Sequence, residues 1–238
     1  MHIEVLESED SIATRAADII AAAVAAKPDA NLGLPTGATP IRTYGELARR
    51  VAARTIDLAR TTAYAIDEFT GVPTATPGTN AAFYAEHLRL NLRALHCPDA
   101  GAPDPDAEIR SFASAISAAG GLDLCMLGVG ANGHVAFNEP GSALDSEARV
   151  VELTLPSRAA HGAQFGSFKL VPRRGMTLGI TDLLTSRAIL VLVTGAHKAT
   201  IVRASIEGPP SPDVPASWLQ SHPDVTWLLD ASAARYLT

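Results

Sequence analysis

The sequence predicts an α/β protein, a doubly wound and mostly parallel sheet with helices on both faces. Three observations predict it. Short apolar runs rich in β-branched residues recur at 3–6, 31–34, 62–66, 122–127, 188–194 and 225–229. Amphipathic stretches lie between most of them, and strand alternating with helix is the pattern of a parallel sheet covered on both sides. The length of 238 residues, with 47% hydrophobic and 18% charged residues, is near the upper end of what one core serves. The expectation is therefore one Rossmann-like domain over residues 1–238.

The first strand, 3–6, leads into a helix over 10–26, where Ile12, Ala16, Ile19, Ala23 and Val24 recur at helical spacing and Ser8 or Asp10 is placed to cap it. A second helix follows Thr39-Pro40, with Pro40 at a first helical position and Ile41, Tyr44, Leu47, Ala48 and Val51 on one face. Segments 99–106 and 208–215, rich in Pro, Asp and Gly, read as surface connections. Trp218 and Trp227 read as core residues, and Cys125, inside the run 122–127, as a buried thiol.

Charge and cysteine content limit the partners. A net charge of −6 without a basic run excludes a nucleic-acid or anionic-membrane surface as an expectation. No apolar stretch approaches the roughly 18 residues of a span, and no leader pattern opens the sequence. Two cysteines, Cys97 and Cys125, are too few for a disulfide scaffold, so a cytoplasmic location is expected. An anionic ligand would have to be held by local geometry.

In a parallel sheet the ligand site lies beyond the carboxyl ends of the strands, so the loops after strands are where chemistry is sought. The loop 34–40, Leu-Pro-Thr-Gly-Ala-Thr-Pro, follows a strand and opens a helix. Its amides and the hydroxyls of Thr36 and Thr39, with Gly37 and Ala38 between, suit a phosphate; a simple capped turn is the plainer alternative. Residues 128–133 match G-x-G-x-x-G, but Asn138-Glu139-Pro140 interrupts the chain too soon for the long helix a dinucleotide site needs. The glycines instead allow close approach to a ligand beside His134 and Glu139, a pairing suited to proton shuttling. Asp67, with Glu68, stands at the end of the strand 62–66, where desolvation would raise its pKa and fit it to take a carbon-bound proton. Lys198 follows the strand 188–194 at the start of another helix, either solvated or directed to the phosphate site.

Together these motifs resemble the glucosamine-6-phosphate deaminases, also called isomerases. The residues that carry the resemblance are Leu-Pro-Thr-Gly-Ala-Thr-Pro at 34–40, Ile-Asp-Glu-Phe at 66–69, Gly-Val-Gly-Ala-Asn-Gly-His-Val-Ala-Phe-Asn-Glu-Pro at 128–140, Gly-Ala-His-Lys at 195–198 and Leu-Gln-Ser-His-Pro-Asp-Val at 219–225. The resemblance implies conversion of glucosamine 6-phosphate and water to fructose 6-phosphate and ammonia, without cofactor or metal, by a monomer or small homo-oligomer. It implies that Asp67 moves the proton between C2 and C1, and that Asn132, His134 and Glu139 open the ring. Position 132 is Asp in some members and Asn in others. Thr36, Gly37, Ala38, Thr39 and Lys198 would hold the phosphate, and a lid would span about 155–175.

Two departures from the family pattern matter. The lid arginine is replaced by Ala163, which leaves Arg158, Arg173 or Arg174 as substitutes and the identity of the amino sugar open, galactosamine 6-phosphate included. An effector pocket fits at Ser142 and Arg149, but Val151 replaces a lysine, which implies the short, unregulated type. Rival readings are a 6-phosphogluconolactonase, whose Asp-Glu-Arg and Asp-Gly-His-Thr-Ala-Ser differ from Asp67-Glu68-Phe69 and from 132–137, and a non-catalytic sugar-phosphate-sensing domain, which would carry a helix-turn-helix.

Overall fold

A computed structural model describes all 238 residues. In chain order the elements are β1 (His2–Leu6), α1 (Glu9–Ala26), β2 (Asn31–Leu34), α2 (Ala38–Ala52), β3 (Thr62–Ala65), β4 (Asp67–Phe69), α3 (Asn80–His87), β5 (Ala94–His96) and α4 (Pro105–Ala118). They continue with β6 (Leu124–Gly128), β7 (Arg149–Glu152), α5 (Leu155–His161), β8 (Arg174–Thr177), α6 (Ile180–Leu184), β9 (Ile189–Val193), α7 (Ala199–Ile206), β10 (Val225–Asp230) and α8 (Ala231–Ala234). No helix is long and apolar enough to cross a membrane.

The main sheet has seven strands in the order β1-β10-β9-β6-β2-β3-β5, and every pairing is parallel. Alternation along each strand divides the core in two. Leu124, Met126, Leu190, Leu192 and Leu228 face Ile12, Ile20, Tyr44 and Tyr84 of α1, α2 and α3. Cys125, Leu127, Val191, Val193 and Trp227 face Ile109 of α4, Leu183 of α6 and Val202 of α7. From β2 the chain runs outward to β3 and β5, then returns to β6 on the other side of β2. The order thus reverses between β2 and β6, where two loops diverge and leave a crevice.

Several boundaries differ from expectation for local reasons. Helix α1 begins at Glu9 because Ser8, not Asp10, caps it: Ser8 Oγ accepts from the Ser11 amide at 3.1 Å. Helix α2 begins at Ala38, so Pro40 is its third residue rather than its first. The run 62–66 stops at Ala65, and Asp67 opens β4, which belongs to a second sheet, β4-β8-β7, antiparallel and unforeseen. Lys198 closes a 3-10 turn, Ala196–Lys198, before α7. Trp227 is fully buried, whereas Trp218 is only partly so and donates from Nε1 to the Ser142 carbonyl at 3.0 Å.

Gly179 connects the small sheet to α6, and a Cβ there would overlap the backbone of Ser146 and Glu147. Gly179→Ala is expected to destabilise the fold by about 2–3 kcal/mol, a fall of roughly 4–12 °C in Tm for a chain of this size. Gly45→Ala, on the open face of α2, should instead raise Tm slightly. Thermal melts of the two variants check both signs.

Candidate active site

A cavity of about 590 Å³ opens at the crevice, bounded by the loops after β2, β6 and β9, by Asp67, and by residues of the segment from Pro156 to Gln164. That volume is ordinary for a small-molecule site. The loop after β2 is held from below: the buried hydroxyls of Tyr44 and Tyr84 donate to the Pro35 and Leu34 carbonyls, each at 2.6 Å. Gly37 precedes α2 at φ 106° and offers no side-chain cap, so the helix presents uncovered first-turn amides to the cavity. Fixed N–H groups at the positive end of a 15-residue helix suit a phosphate.

On the adjoining wall Asp67 and Glu68 are both buried, and strand alternation turns them to opposite sides. Asp67 lines the cavity. Burial, reinforced by the Glu68 charge and opposed by a hydrogen bond from Asn80, pushes its carboxyl up to about 8. Glu68 turns into the protein, where Oε1 accepts from the amides of Phe69 at 2.7 Å and Asn80 at 2.8 Å, and Oε2 accepts from Ala81 at 2.8 Å. Burial still carries Glu68 up to about 7 against those three donors.

Opposite, Asn132 bridges a carboxylate and an imidazole. Its Nδ2 donates to Glu139 Oε2 at 2.8 Å, which orients its Oδ1 toward His134 Nδ1 at 2.7 Å. An amide oxygen only accepts, so Nδ1 carries the proton and Nε2 keeps a free lone pair. Burial lowers the His134 pKa to about 4 against the Glu139 charge, with Lys198 and His161 adding to the fall; the ring is neutral at pH 7. Glu139 is held further by the Thr154 amide at 3.2 Å and hydroxyl at 3.3 Å. The ring lies where a Cβ of residue 130 would be, so glycine there leaves the imidazole its place and any larger residue would push it aside.

Lys198 lines the cavity, its Nζ donating to the Val129 carbonyl at 2.7 Å, with burial lowering its pKa. None of the three candidate arginines lines it. Arg158 lies 4.6 Å over the Phe168 ring and donates to the Val171 carbonyl at 3.1 Å, while Arg173 and Arg174 are exposed elsewhere. The same segment docks by Phe165, whose ring meets Phe69 at 4.8 Å between centroids and rests against Gly78.

The family model described as glucosamine-6-phosphate isomerases/6-phosphogluconolactonase matches residues 6–227. The chain belongs to this family. It is 39% identical to a glucosamine-6-phosphate deaminase of Rhodopirellula baltica, over all of this chain and 96% of that protein. It is 37% identical to glucosamine-6-phosphate deaminase 2 of Bacillus subtilis, over all of this chain and 98% of that protein. Among solved structures, a monomeric glucosamine-6-phosphate deaminase matches with a TM-score of 0.95 at 35% identity, covering 99% of both chains. The 6-phosphogluconolactonase of Leishmania guyanensis shares the fold, with a TM-score of 0.79 at 20% identity over all of this chain and 98% of that one.

Of the residues singled out from the sequence as catalytic or phosphate-binding, Thr36 to Thr39, Asp67, Asn132, His134 and Lys198 line the one cavity and Glu139 lies behind Asn132, whereas the substitute arginines do not reach it. Sequence reasoning missed Asn80, Thr154, Ser157, His161, Gln164 and His197. Of these only Thr79-Asn80, after Pro77-Gly78, and Thr154, before Leu155-Pro156, carried a local signal, that of a helix start, and it pointed to capping rather than to the site. Ser142 and Arg149 do meet, with Arg149 donating to Ser142 Oγ at 2.9 Å and to Asn138 Oδ1 at 3.0 Å.

The raised Asp67 pKa has a consequence for stability. Its folded value, about 8, lies above its ordinary value of 3.8, so folding favours the neutral carboxyl. That stabilisation is complete below about pH 4 and is lost as pH rises to about 8, at roughly 1.4 kcal/mol per unit. Asp67→Asn removes the titration. Its Tm relative to wild type is expected to climb between pH 5 and 8 and level off above; an offset independent of pH would contradict the buried, high-pKa carboxyl. A second expectation concerns residue 130: Gly130→Ala should keep the fold and displace the His134 ring, visible as a shifted imidazole signal and midpoint in a histidine NMR titration.

Proposed function

We propose that this chain is a glucosamine-6-phosphate deaminase, converting glucosamine 6-phosphate and water to fructose 6-phosphate and ammonia. The observation that carries the reading is that one cavity sets a neutral, correctly tautomeric His134 and a desolvated Asp67 beside a helix start suited to phosphate. Neutral His134 takes the anomeric hydroxyl proton at Nε2 and returns it to the ring oxygen, which opens the sugar; Glu139, through the Asn132 amide, steadies the transient imidazolium. Ionised Asp67 takes the C2 proton to give an enolamine, O1 gaining a proton as the nitrogen gives one up, and delivers the C2 proton to C1. The C2–N bond is left as an imine, and water adds at C2 and displaces ammonia. The phosphate rests on the backbone amides of the loop from Thr36 to Thr39, the Thr39 hydroxyl and Lys198, the Thr36 hydroxyl being committed to Asn80, and residues 155–175 act as the lid. The enzyme would act as a monomer or a small homo-oligomer.

Ammonia release from glucosamine 6-phosphate, galactosamine 6-phosphate and unphosphorylated glucosamine, with acid release from 6-phosphogluconolactone alongside, tests the reading. Ammonia from glucosamine 6-phosphate is expected, and acid from the lactone without ammonia would overturn it. Asp67→Asn should fall below a hundredth of the wild-type rate while still binding substrate. As the free base must be ionised, kcat/KM should rise with pH to a plateau above about 8, the value to which burial carries Asp67. Lys198→Ala should raise KM about ten- to a hundredfold, the worth of one charge-assisted contact, with little change in kcat.

A further inference from the structure

Asn80 opens α3, is buried, and has every polar atom of its side chain engaged. Its Nδ2 donates to Asp67 Oδ1 at 2.6 Å and to the Asp67 carbonyl at 2.9 Å, and its Oδ1 accepts from Thr36 Oγ1 at 2.9 Å. The amide's orientation is over-determined, since the Asp67 carbonyl can only accept and the opposite end must then be the oxygen. Thr36, facing that oxygen, must donate.

The helix does not need this side chain. Thr79 already caps α3, its Oγ1 accepting from Ala82 at 3.2 Å, and Glu68 accepts the amides of Asn80 and Ala81. The Asn80 amide therefore serves the two residues it bridges. We infer that Asn80 is a positioning residue that fixes the Asp67 carboxylate and ties it to the Thr36 hydroxyl of the anion loop, leaving Oδ2 as the oxygen that meets the sugar. That a sugar meets Oδ2 rests on the proposed function; the bridge itself does not.

Two consequences follow from hydrogen-bond physics. A donor to the ionised form of Asp67 lowers its pKa, so removing the amide raises it. Thr36 acts at one remove by holding the amide carbonyl, so its loss acts in the same direction and less. The groups facing Asp67 are Glu68 on its own strand, Tyr44 of α2, Tyr84 of α3 and Cys125 of β6. Burial raises both tyrosines well above their ordinary value and the thiol to about 12, so only Glu68 titrates near Asp67.

The test follows the Asp67 carboxyl by 13C NMR in labelled protein without substrate, and kcat/KM against pH with glucosamine 6-phosphate. Asn80→Ala is expected to move the Asp67 midpoint and the kinetic limb up together by about one unit, so that activity falls roughly tenfold at pH 7 and recovers near pH 10. Thr36→Val should move the midpoint a fraction as far, and Thr36→Ser should leave it at the wild-type value. A loss equal at every pH, with an unmoved Asp67 midpoint, would reduce Asn80 to a structural residue and overturn the inference. If Asn80→Ala does not fold, the contrast between Thr36→Val and Thr36→Ser decides alone, and an unmoved midpoint in both overturns it. Should wild type release no ammonia, the functional reading fails while the NMR midpoints still decide the bridge.

Discussion

Two adjacent carboxylates buried at the end of an apolar sheet are the constraint around which this corner of the molecule is organised. Removing a carboxylate from water is unfavourable by several kcal/mol unless donors replace the lost solvent. Residues 67 and 68 meet that requirement in different ways because alternation sends them to opposite sides. Glu68 receives three backbone amides, two of them from the first turn of α3, so the helix start serves as its solvation shell. Asp67 receives one side-chain amide and faces a cavity, which leaves it the less compensated of the two and the more easily protonated. The second sheet follows from the same need: β4 pairs with β8 and holds both carboxylates in register.

Burial acts on the Asp67 carboxyl and the His134 imidazole with opposite sign. It disfavours charge, so it lifts the Asp67 carboxyl toward 8 and drops the His134 imidazole toward 4. Between these values both are predominantly neutral in the empty cavity. This moderates the field of a chain whose net charge is −6, and a dianion meets less repulsion there than the overall charge suggests. The amide at position 132 belongs to this balance. A carboxylate there would stand beside Glu139 as a second like charge, whereas Asn132 relays orientation to His134 without adding one.

The sheet was legible because its central strands, buried on both faces, read as continuous apolar runs, and the site because loops after such strands converge at the crevice; the short, exposed edge strand β5 gave no such run. The second sheet was not legible. Its strands are three or four residues long, and β7 and β8 carry Arg149, Glu152 and Arg174, which mask any alternation. The cavity-lining loops were found through glycine, histidine and carboxylate patterns, but Asn80 and Thr154 were hidden because each also reads as part of a helix start. A sequence reports that a residue suits a helix start; which distant atom it meets depends on how α3 and α5 pack, information that no local pattern contains.

Under the proposed function, Ala163, where the family resemblance implies a lid arginine, redistributes the work of the cavity walls. The segment's side chains facing the cavity, Pro156, Ser157, Ala160, His161 and Gln164, include no guanidinium or ammonium. Its root is fastened at Thr154 to Glu139, and Ser157 Oγ lies 3.4 Å from His134 Nδ1. Its far part is fastened by Phe165 among Phe69, Phe137, Leu153 and Val171. The segment is thus anchored by apolar packing and by contacts to Glu139 and His134, while the groups suited to an anion, the α2 amides and Lys198, sit on sheet-supported walls that need no closure to be in place. Under the proposed function, recognition of the phosphate belongs to the rigid part of the molecule. Movement of residues 155–175 would then alter the orientation of Glu139 and His134 before it altered the hold on the phosphate, so perturbing the lid should weigh on ring opening more than on substrate affinity.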